Sequence, residues 1–340
     1  MFIQVAVPGP FLDGLSYRYD GQDLKPLMRV EVPIGRRKVI AVVTQINVAT
    51  ELDVAKIKSI IRVVDQEPIF DPSLGALITW MAGYYQASIG DMFQLALGGG
   101  LAKGIAFKHS TVKTYRAKDK PEAIVLLKSA PKQLALYTLL QQQEACLTME
   151  QIKNKGFSAA LLKELMKRDL VLVEEQMPQR QKPLIEKPRL VLNAQQQDVL
   201  DTLLGYGKGF GVFLLEGVTG SGKTEVYLSL IEKVRAQGKQ VLVLVPEIAL
   251  SMQTMARFSA YFGEDVVMLH SGLSDQARTN ASYLAHHAKV SVVIGTRSAL
   301  FTSMPNLGLI VVDEEHDLSF KQQTQVLYCA RDAAIYRAQL

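Results

Sequence analysis

Two clusters in the second half of the chain have the residue types and spacing that phosphate chemistry requires. Gly217-Val218-Thr219-Gly220-Ser221-Gly222-Lys223-Thr224 matches GxxxxGK[ST]. It follows the apolar run Phe213 to Leu215 and precedes a helical stretch reaching Arg235, the strand-loop-helix setting that such a loop needs. Glycines let backbone N–H groups wrap a phosphate at a helix N-terminus, so Gly217, Thr219, Gly220, Ser221 and Gly222 are candidate nucleotide-binding residues. Lys223 would neutralise β- and γ-phosphate oxygens, and Thr224 would bind Mg²⁺. About 90 residues downstream, Leu309-Ile310-Val311-Val312-Asp313-Glu314-Glu315-His316 reads as a buried strand with an acidic end. A carboxylate there can hold the Mg²⁺ shell, which suits Asp313, and Glu314 is placed to orient or deprotonate an attacking water. Glu315 is read as solvated. Hydrolysis of a bound nucleotide is the chemistry expected, with Lys223, Asp313 and Glu314 as its candidate catalytic residues.

The elements that must position these groups follow from hydrophobic periodicity. Phe213 to Glu216, Gln240 to Val245, Val266 to His270, Val290 to Ile294 and Leu309 to Asp313 are strand candidates with amphipathic stretches between several of them. Repeated βα units imply a parallel sheet flanked by helices, with ligands beyond the carboxyl ends of the strands. Upstream, Ile3 to Val7, Arg29 to Val32, Val39 to Asn47 and Ile57 to Val64 are β-branched runs separated by Pro, Gly and Asp, a small β-rich domain. A helix is expected from Pro72 to Gln86, before a break at Gly98-Gly99-Gly100, and Ala117 to Pro121 reads as a linker. Between Pro131 and Glu175 the order is a helix over Gln133 to Gln142, a short segment Thr148 to Lys153, a helix over Ser158 to Arg168 and the strand Leu170 to Val173. That order resembles a winged helix, a module whose second helix serves either a DNA groove or protein contacts. A second linker is expected over 176–189, marked by Pro178, Pro183 and Pro188.

Composition narrows the class. The 340 residues are 48% apolar and 21% charged, which fits two or three globular domains rather than a disordered chain. Cys146 and Cys329 are the two cysteines, 183 positions apart and outside any CxxC, which excludes a disulfide framework and a cysteine-rich zinc site within these residues. With no basic-then-apolar leader and no run of about 18 apolar residues, a cytoplasmic protein without membrane partners is expected. The net charge is +5: residues 1–110 carry 11 Lys+Arg against 10 Asp+Glu, residues 111–190 carry 15 against 9, and residues 191–340 carry 12 against 14. A basic middle fits a polyanion partner or an ordinary Lys-rich surface equally well.

Phosphate loops serve kinases, transport ATPases, GTPases and recombinases, so further residues must decide. Asp313-Glu314-Glu315-His316 resembles the DExH box of superfamily 2 helicases. Asn193-Ala194-Gln195-Gln196, Pro246 to Leu250, Leu269 to Gly272 and Gly295 to Ser298 follow that superfamily's order. Gln196 resembles the glutamine that reads adenine edges, Pro246 to Leu250 and Arg297 would grip a phosphodiester backbone, and His316 would couple the γ-phosphate side to the DNA side. A lone Gln, a surface Arg297 and an exposed helix end at His286-His287 are the plain readings of isolated pieces.

The sequences Gly217 to Tyr227, Val245 to Ile248, Gly295 to Phe301, Asp313 to Asp317 and Lys321-Gln322-Gln323 together resemble the PriA family of primosomal replication-restart helicases. The resemblance implies a multidomain protein. Residues 1–110 would be a β-rich domain binding a DNA 3′ end, residues 111–180 a winged helix with its preceding linker, and residues 181–340 a first RecA-like lobe with a parallel sheet. It implies 3′ to 5′ unwinding driven by ATP and Mg²⁺. Its partners would be forked and single-stranded DNA, primosome proteins and single-stranded DNA-binding protein. The 3′-end pocket would include Ser16, Tyr17, Gly35 and Lys58; many members carry Asp where this chain has the shorter, neutral Ser16. Phe320, Lys321 and Tyr328 would belong to an aromatic-rich loop that stacks on bases, with Cys329 where a ring is common. A second lobe and eight zinc-binding cysteines would lie beyond Leu340, so zinc is expected only there. The 340 residues are expected to bind DNA, and nucleotide weakly, without unwinding.

Overall fold

The structure is a computed structural model that describes residues 1–50, 53–109, 112–143, 146–176, 191–207, 209–218 and 220–340, the side chains of Val112 and Gln176 excepted. The expected linker prolines Pro178, Pro183 and Pro188, and Thr219 of the phosphate loop, lie outside these described residues. The chain folds as two compact units, one of residues 1–108 and 181–340, the other of residues 109–180.

The larger unit opens with strands β1 (Phe2–Ala6), β2 (Leu15–Arg18), β3 (Arg29–Ile34), β4 (Arg37–Ile46) and β5 (Arg62–Val63), in the antiparallel order β2-β1-β4-β3-β5. Alternation puts Ile3, Val5, Tyr17, Val30, Val32, Ala41 and Val43 in one core. The sheet rolls until its edges meet: Arg18 N–H donates to Lys58 O (2.9 Å) and Ile60 N–H to Arg18 O (3.1 Å). Helix α1 (Pro72–Tyr84) is capped by Asp71, whose carboxylate accepts from Leu74 N–H at 3.0 Å, with Pro72 at the first turn. Helix α2 (Ile89–Ala102) was not expected through the glycines. Gly98 alone leaves helical geometry, at φ +64°, and the helix resumes after this kink.

The smaller unit comprises β6 (Val112–Ala117), α3 (Ala123–Leu126), α4 (Pro131–Gln142), β7 (Leu147–Thr148), α5 (Met149–Asn154), α6 (Ala159–Lys167) and β8 (Val171–Gln176). Its sheet order is β7-β6-β8, and Leu136, Tyr137, Leu140, Ile152, Leu162 and Leu165 fill its core. A Thr148–Gln151 capping box starts α5, and Ser158 caps α6. The expected linker at Ala117 is instead the end of β6, where Ala117 pairs with Val171.

The larger unit continues with α7 (Ala194–Gly205), α8 (Lys223–Ala236), β9 (Gln240–Leu244), α9 (Met252–Phe262), β10 (Val266–Leu269), α10 (Asp275–His286), β11 (Val292–Gly295), β12 (Leu307–Val312), the short pair β13 (Lys321–Gln322) and β14 (Tyr328–Cys329), and α11 (Ala330–Gln339). Strands β10-β11-β9-β12 form a parallel sheet. Its register aligns Leu269 with Gly295, Gly295 with Leu244 and Leu244 with Val312, so the four carboxyl ends make one level rim. The strand expected over Phe213 to Glu216 does not form. Among the described residues Phe213 to Glu216 pair with no strand, Phe213 and Leu214 are exposed, and β12 exchanges its ladder hydrogen bonds with β9 alone. Helices α1 and α2 share one apolar core with this sheet, where Leu74, Ile78, Met92 and Phe93 meet Leu242, Val293 and Phe301.

Candidate nucleotide and DNA site

The phosphate loop ends where α8 begins. Gly222 turns the chain into the helix at φ +82°, a conformation that strains any side chain, and Gln196 Nε2 lies against it. Gln196 is held by a capping box with Asn193, and its Nε2 donates to Ser221 O at 3.1 Å. Its amide therefore braces the loop. Lys223 Nζ donates to Gly217 O (2.6 Å) and Val218 O (3.3 Å), so the ammonium sits against the loop that would cradle a phosphate.

Helix α8 buries Val226, Leu228 and Ile231 and packs on β9 and β12. One turn past Lys223, Tyr227 points its hydroxyl at the acidic strand end and donates to Asp313 Oδ2 at 3.0 Å. Burial, then the Asp313 charge, push the phenol pKa up, against an opposing influence from Thr224. The first helical turn after the loop and the carboxylate at the rim of β12 thus meet through one hydroxyl. Asp313 Oδ1 accepts from Glu314 N–H at 3.1 Å, and Glu314 adopts φ +49°, which turns the chain off the strand. Glu314 and His316 are exposed, 3.9 Å apart. Glu315 is not merely solvated, since Arg331 binds its carboxylate at 2.8 Å.

Among the described residues, no group of three His, Cys, Asp or Glu could hold a metal by itself. The donors present fit Mg²⁺ delivered with a nucleotide, because Mg²⁺ is held by one or two protein oxygens plus phosphate oxygens and water. Thr224 at the first turn of α8 and Asp313 at the end of β12 carry side-chain oxygens of that kind.

On the DNA side, the aromatic residues are placed differently from expectation. Phe320 and Tyr328 are 1% and 4% exposed. Both belong to the core shared by the sheet and α1, so neither ring face is open to a base. Their rings are large apolar groups at the mouth of a core, where burial outweighs display. Arg297 donates to Ser319 O (3.0 Å) and Lys321 O (2.9 Å) and lies 5.9 Å from the Tyr328 ring centroid. It therefore clamps the segment after the acidic box to the carboxyl end of β11. Lys321 is exposed on β13.

In the N-terminal sheet, Tyr17 is buried and its hydroxyl donates to Pro33 O at 3.1 Å, beside the Gly35 hairpin. Ser16 Oγ donates to Gln4 Oε1 at 3.1 Å on the opposite face of β2. Lys58 is exposed next to the bridge that closes the sheet. Tyr17 thus ties β2 from inside to the end of β3 that leads into the Gly35 turn, and Lys58 flanks the bridge at Arg18 on the same strand. His286-His287 is not an exposed helix end. His286 Nδ1 lies 2.9 Å from Ser303 Oγ, and His287 Nε2 lies 3.0 Å from Glu67 Oε1. The site residue that sequence reading missed is Tyr227. Its position four after Lys223, one helical turn along the same face, was the available signal.

The sequence matches two family models: a 3′ DNA-binding domain over residues 4–98 and a DEAD/DEAH box helicase over residues 193–338. Among curated relatives it is 38% identical to the replication restart protein PriA of Haemophilus influenzae, over 99% of this chain and 47% of that protein. It is 35% identical to the PriA of Chlamydia trachomatis, over 92% of this chain and 43% of the relative. It is 29% identical to that of Bacillus subtilis, over 93% and 48%. The chain spans about half the length of the curated relatives it matches. With a 3′ DNA-binding model at one end, a helicase model at the other and these relatives running across both, the chain belongs to the PriA family of replication restart proteins.

Proposed function

We propose that the chain is the DNA-recognition and first motor portion of an ATP-driven 3′ to 5′ DNA helicase that recognises stalled or repaired replication forks and starts primosome assembly. In this reading residues 1–110 bind a DNA 3′ end, with Ser16, Gly35 and Lys58 at the pocket and Tyr17 beneath it. Residues 111–180 form a winged helix, and residues 181–340 form the first RecA-like lobe. Forked and single-stranded DNA, primosome proteins and single-stranded DNA-binding protein are its partners, and the cytoplasm is its compartment. Among the described residues no helix is long and apolar enough to cross a membrane.

Bound Mg²⁺·ATP supplies the phosphoryl group and its charge. The chain's own residues do the rest: the loop 217–222 and Lys223 bind the phosphates, and Thr224 and Asp313 offer the metal oxygens. Glu314, free of the sheet and exposed, takes the proton of the attacking water. Arg297 and Lys321 meet the DNA backbone side. The observation that carries this reading is the Tyr227 hydroxyl, which ties the helix of Lys223 to Asp313 at 3.0 Å. The 340 residues alone bind fork DNA, and nucleotide weakly, without unwinding.

Titration with a forked duplex bearing a free 3′ end, across a salt series, tests the reading. Phosphate contacts require log affinity to fall linearly with log salt. Lys223→Ala is expected to abolish nucleotide binding and leave fork affinity nearly unchanged. Absent or salt-insensitive DNA binding would instead favour a phosphate-loop ATPase of transport or signalling type. Fork binding without any nucleotide binding by the unaltered chain would leave a pure DNA-binding module.

A further inference from the structure

We propose that exposed aliphatic side chains on the carboxyl rim of the parallel sheet, rather than aromatic rings, contact the bases of a bound single strand; this rests on the DNA-binding reading above. Ile248 stands in the short 3-10 turn that follows β9, and Met252 opens α9 four residues later. Leu318 begins the turn that follows the acidic box of β12, and Leu327 immediately precedes β14. They are 87%, 79%, 71% and 58% exposed. The register that levels Gly295, Leu244 and Val312 puts the β9 and β12 exits side by side. The Arg297 clamp on Ser319 O and Lys321 O fixes the Leu318 turn at the same rim.

Exposing several large aliphatic groups at one edge loses burial that the buried Phe320 and Tyr328 beside them obtain. A sequence-tolerant base contact needs an apolar surface, because every base has an uncharged face. Charge decides which part of a strand lies here. Glu247 and Glu314 are exposed at the same rim, whereas Arg297 and Lys321 lie at the β11 end. Phosphates are repelled from the first pair and drawn to the second, so a strand crossing the rim turns its neutral bases toward Ile248 and Leu318.

The test compares oligothymidylate with an abasic sugar–phosphate strand of equal length, using the 340-residue chain. Unaltered protein is expected to bind the base-bearing strand at least about fivefold tighter, the lower end of a base–side-chain contact. Ile248→Ser and Leu318→Ser should each remove much of that preference and leave abasic affinity and salt slope unchanged; Leu318→Met should retain it. Melting curves should match the unaltered chain, since both side chains are exposed. Equal affinity of the unaltered chain for the two strands, or variants that keep the preference, would overturn the inference while leaving salt-dependent DNA binding intact. Altered self-association in the serine variants with unchanged preference would assign the row to a protein contact and equally overturn it. No binding of either strand would instead sink the DNA-binding reading itself.

Discussion

Replacing Tyr227 with Phe removes one oxygen and leaves the ring, so it isolates the bond that joins the phosphate-loop helix to the acidic strand end. Tyr227 is buried, and its hydroxyl donates to a carboxylate at 3.0 Å. A hydrogen bond to a charged group contributes about 1.5–3 kcal/mol. Asp313 is only half-buried and keeps the Glu314 N–H, so water and that amide recover part of the loss. The expected cost is about 1–2 kcal/mol, which for a unit of this size lowers the melting temperature by roughly 2–6 °C. A urea-denaturation cycle with Asp313→Asn then isolates the contact. If the two groups touch, the double variant departs from additivity by about 1 kcal/mol, whereas independent sites add within roughly 0.3–0.5 kcal/mol. Additive losses would mean that the hydroxyl and carboxylate are not partners, and the phosphate-loop helix and the acidic strand end would have no such link.

Two further outcomes follow from burial. Phe320→Ala is expected to cost about 3–5 kcal/mol in chemical denaturation while the folded fraction keeps its affinity for single-stranded DNA; a stable variant with weakened DNA binding would restore the ring to a stacking role. Burial, and then the neighbouring His287, hold the His286 pKa below its ordinary value of 6.5. The unfolded chain therefore takes up the proton first. Stability from this group is full above about pH 6.5 and is lost as pH falls from there toward the folded-state value. His286→Asn, which retains a donor for Ser303, should flatten that slope in urea titrations at pH 5–7, roughly the histidine range; an unchanged slope would exclude His286 as its source.

The junction between the rolled sheet and the parallel sheet is polar at its margins, and its buried charges are paired or hydrogen-bonded, the Arg337 Nε excepted. Arg29, with no exposed surface, forms a two-pronged pair with Asp65 at 2.6 and 2.8 Å and donates to Leu101 O and Ile105 O at the end of α2. Asp71 caps α1 and also accepts from Ser303 Oγ (2.8 Å) and Met304 N–H (3.0 Å). Burial raises its pKa, but the Ser73, Leu74, Arg337 and Ser303 contributions together hold it below the usual carboxylate range. Arg337 donates to Leu300 O and Thr302 O in the same turn. Buried charges add little net stability, but removing one partner strands the other. Their effect is to set the register: the turn after Arg297 docks against the N-cap of α1 in one arrangement, because another would leave several charges unpaired.

How far the sequence disclosed all this depends on the range of the physics involved. The turn at Gly222, the helix start at Lys223 and the acidic end of β12 at Asp313 were legible because their structure is local: a left-handed glycine, a lysine at a helix start and a carboxylate after an apolar run each declare themselves within a few residues. The four sheet strands β9 to β12 were legible for the same reason, as continuous apolar runs. Phe213 to Glu216 has the same pattern and yet pairs with no strand among the described residues, because a strand exists only if a neighbour supplies its ladder, and one segment's composition cannot report that. Phe320 and Tyr328 failed by the converse route. An aromatic next to Lys, Gln and Gln reads as surface, but their depth is set by α1 and Trp80-containing helical turns more than 200 positions away. Tyr227 sits between these cases. Its helical phase from Lys223 was readable, its partner was not, and the hydroxyl became part of the site only when β12 was laid beside α8.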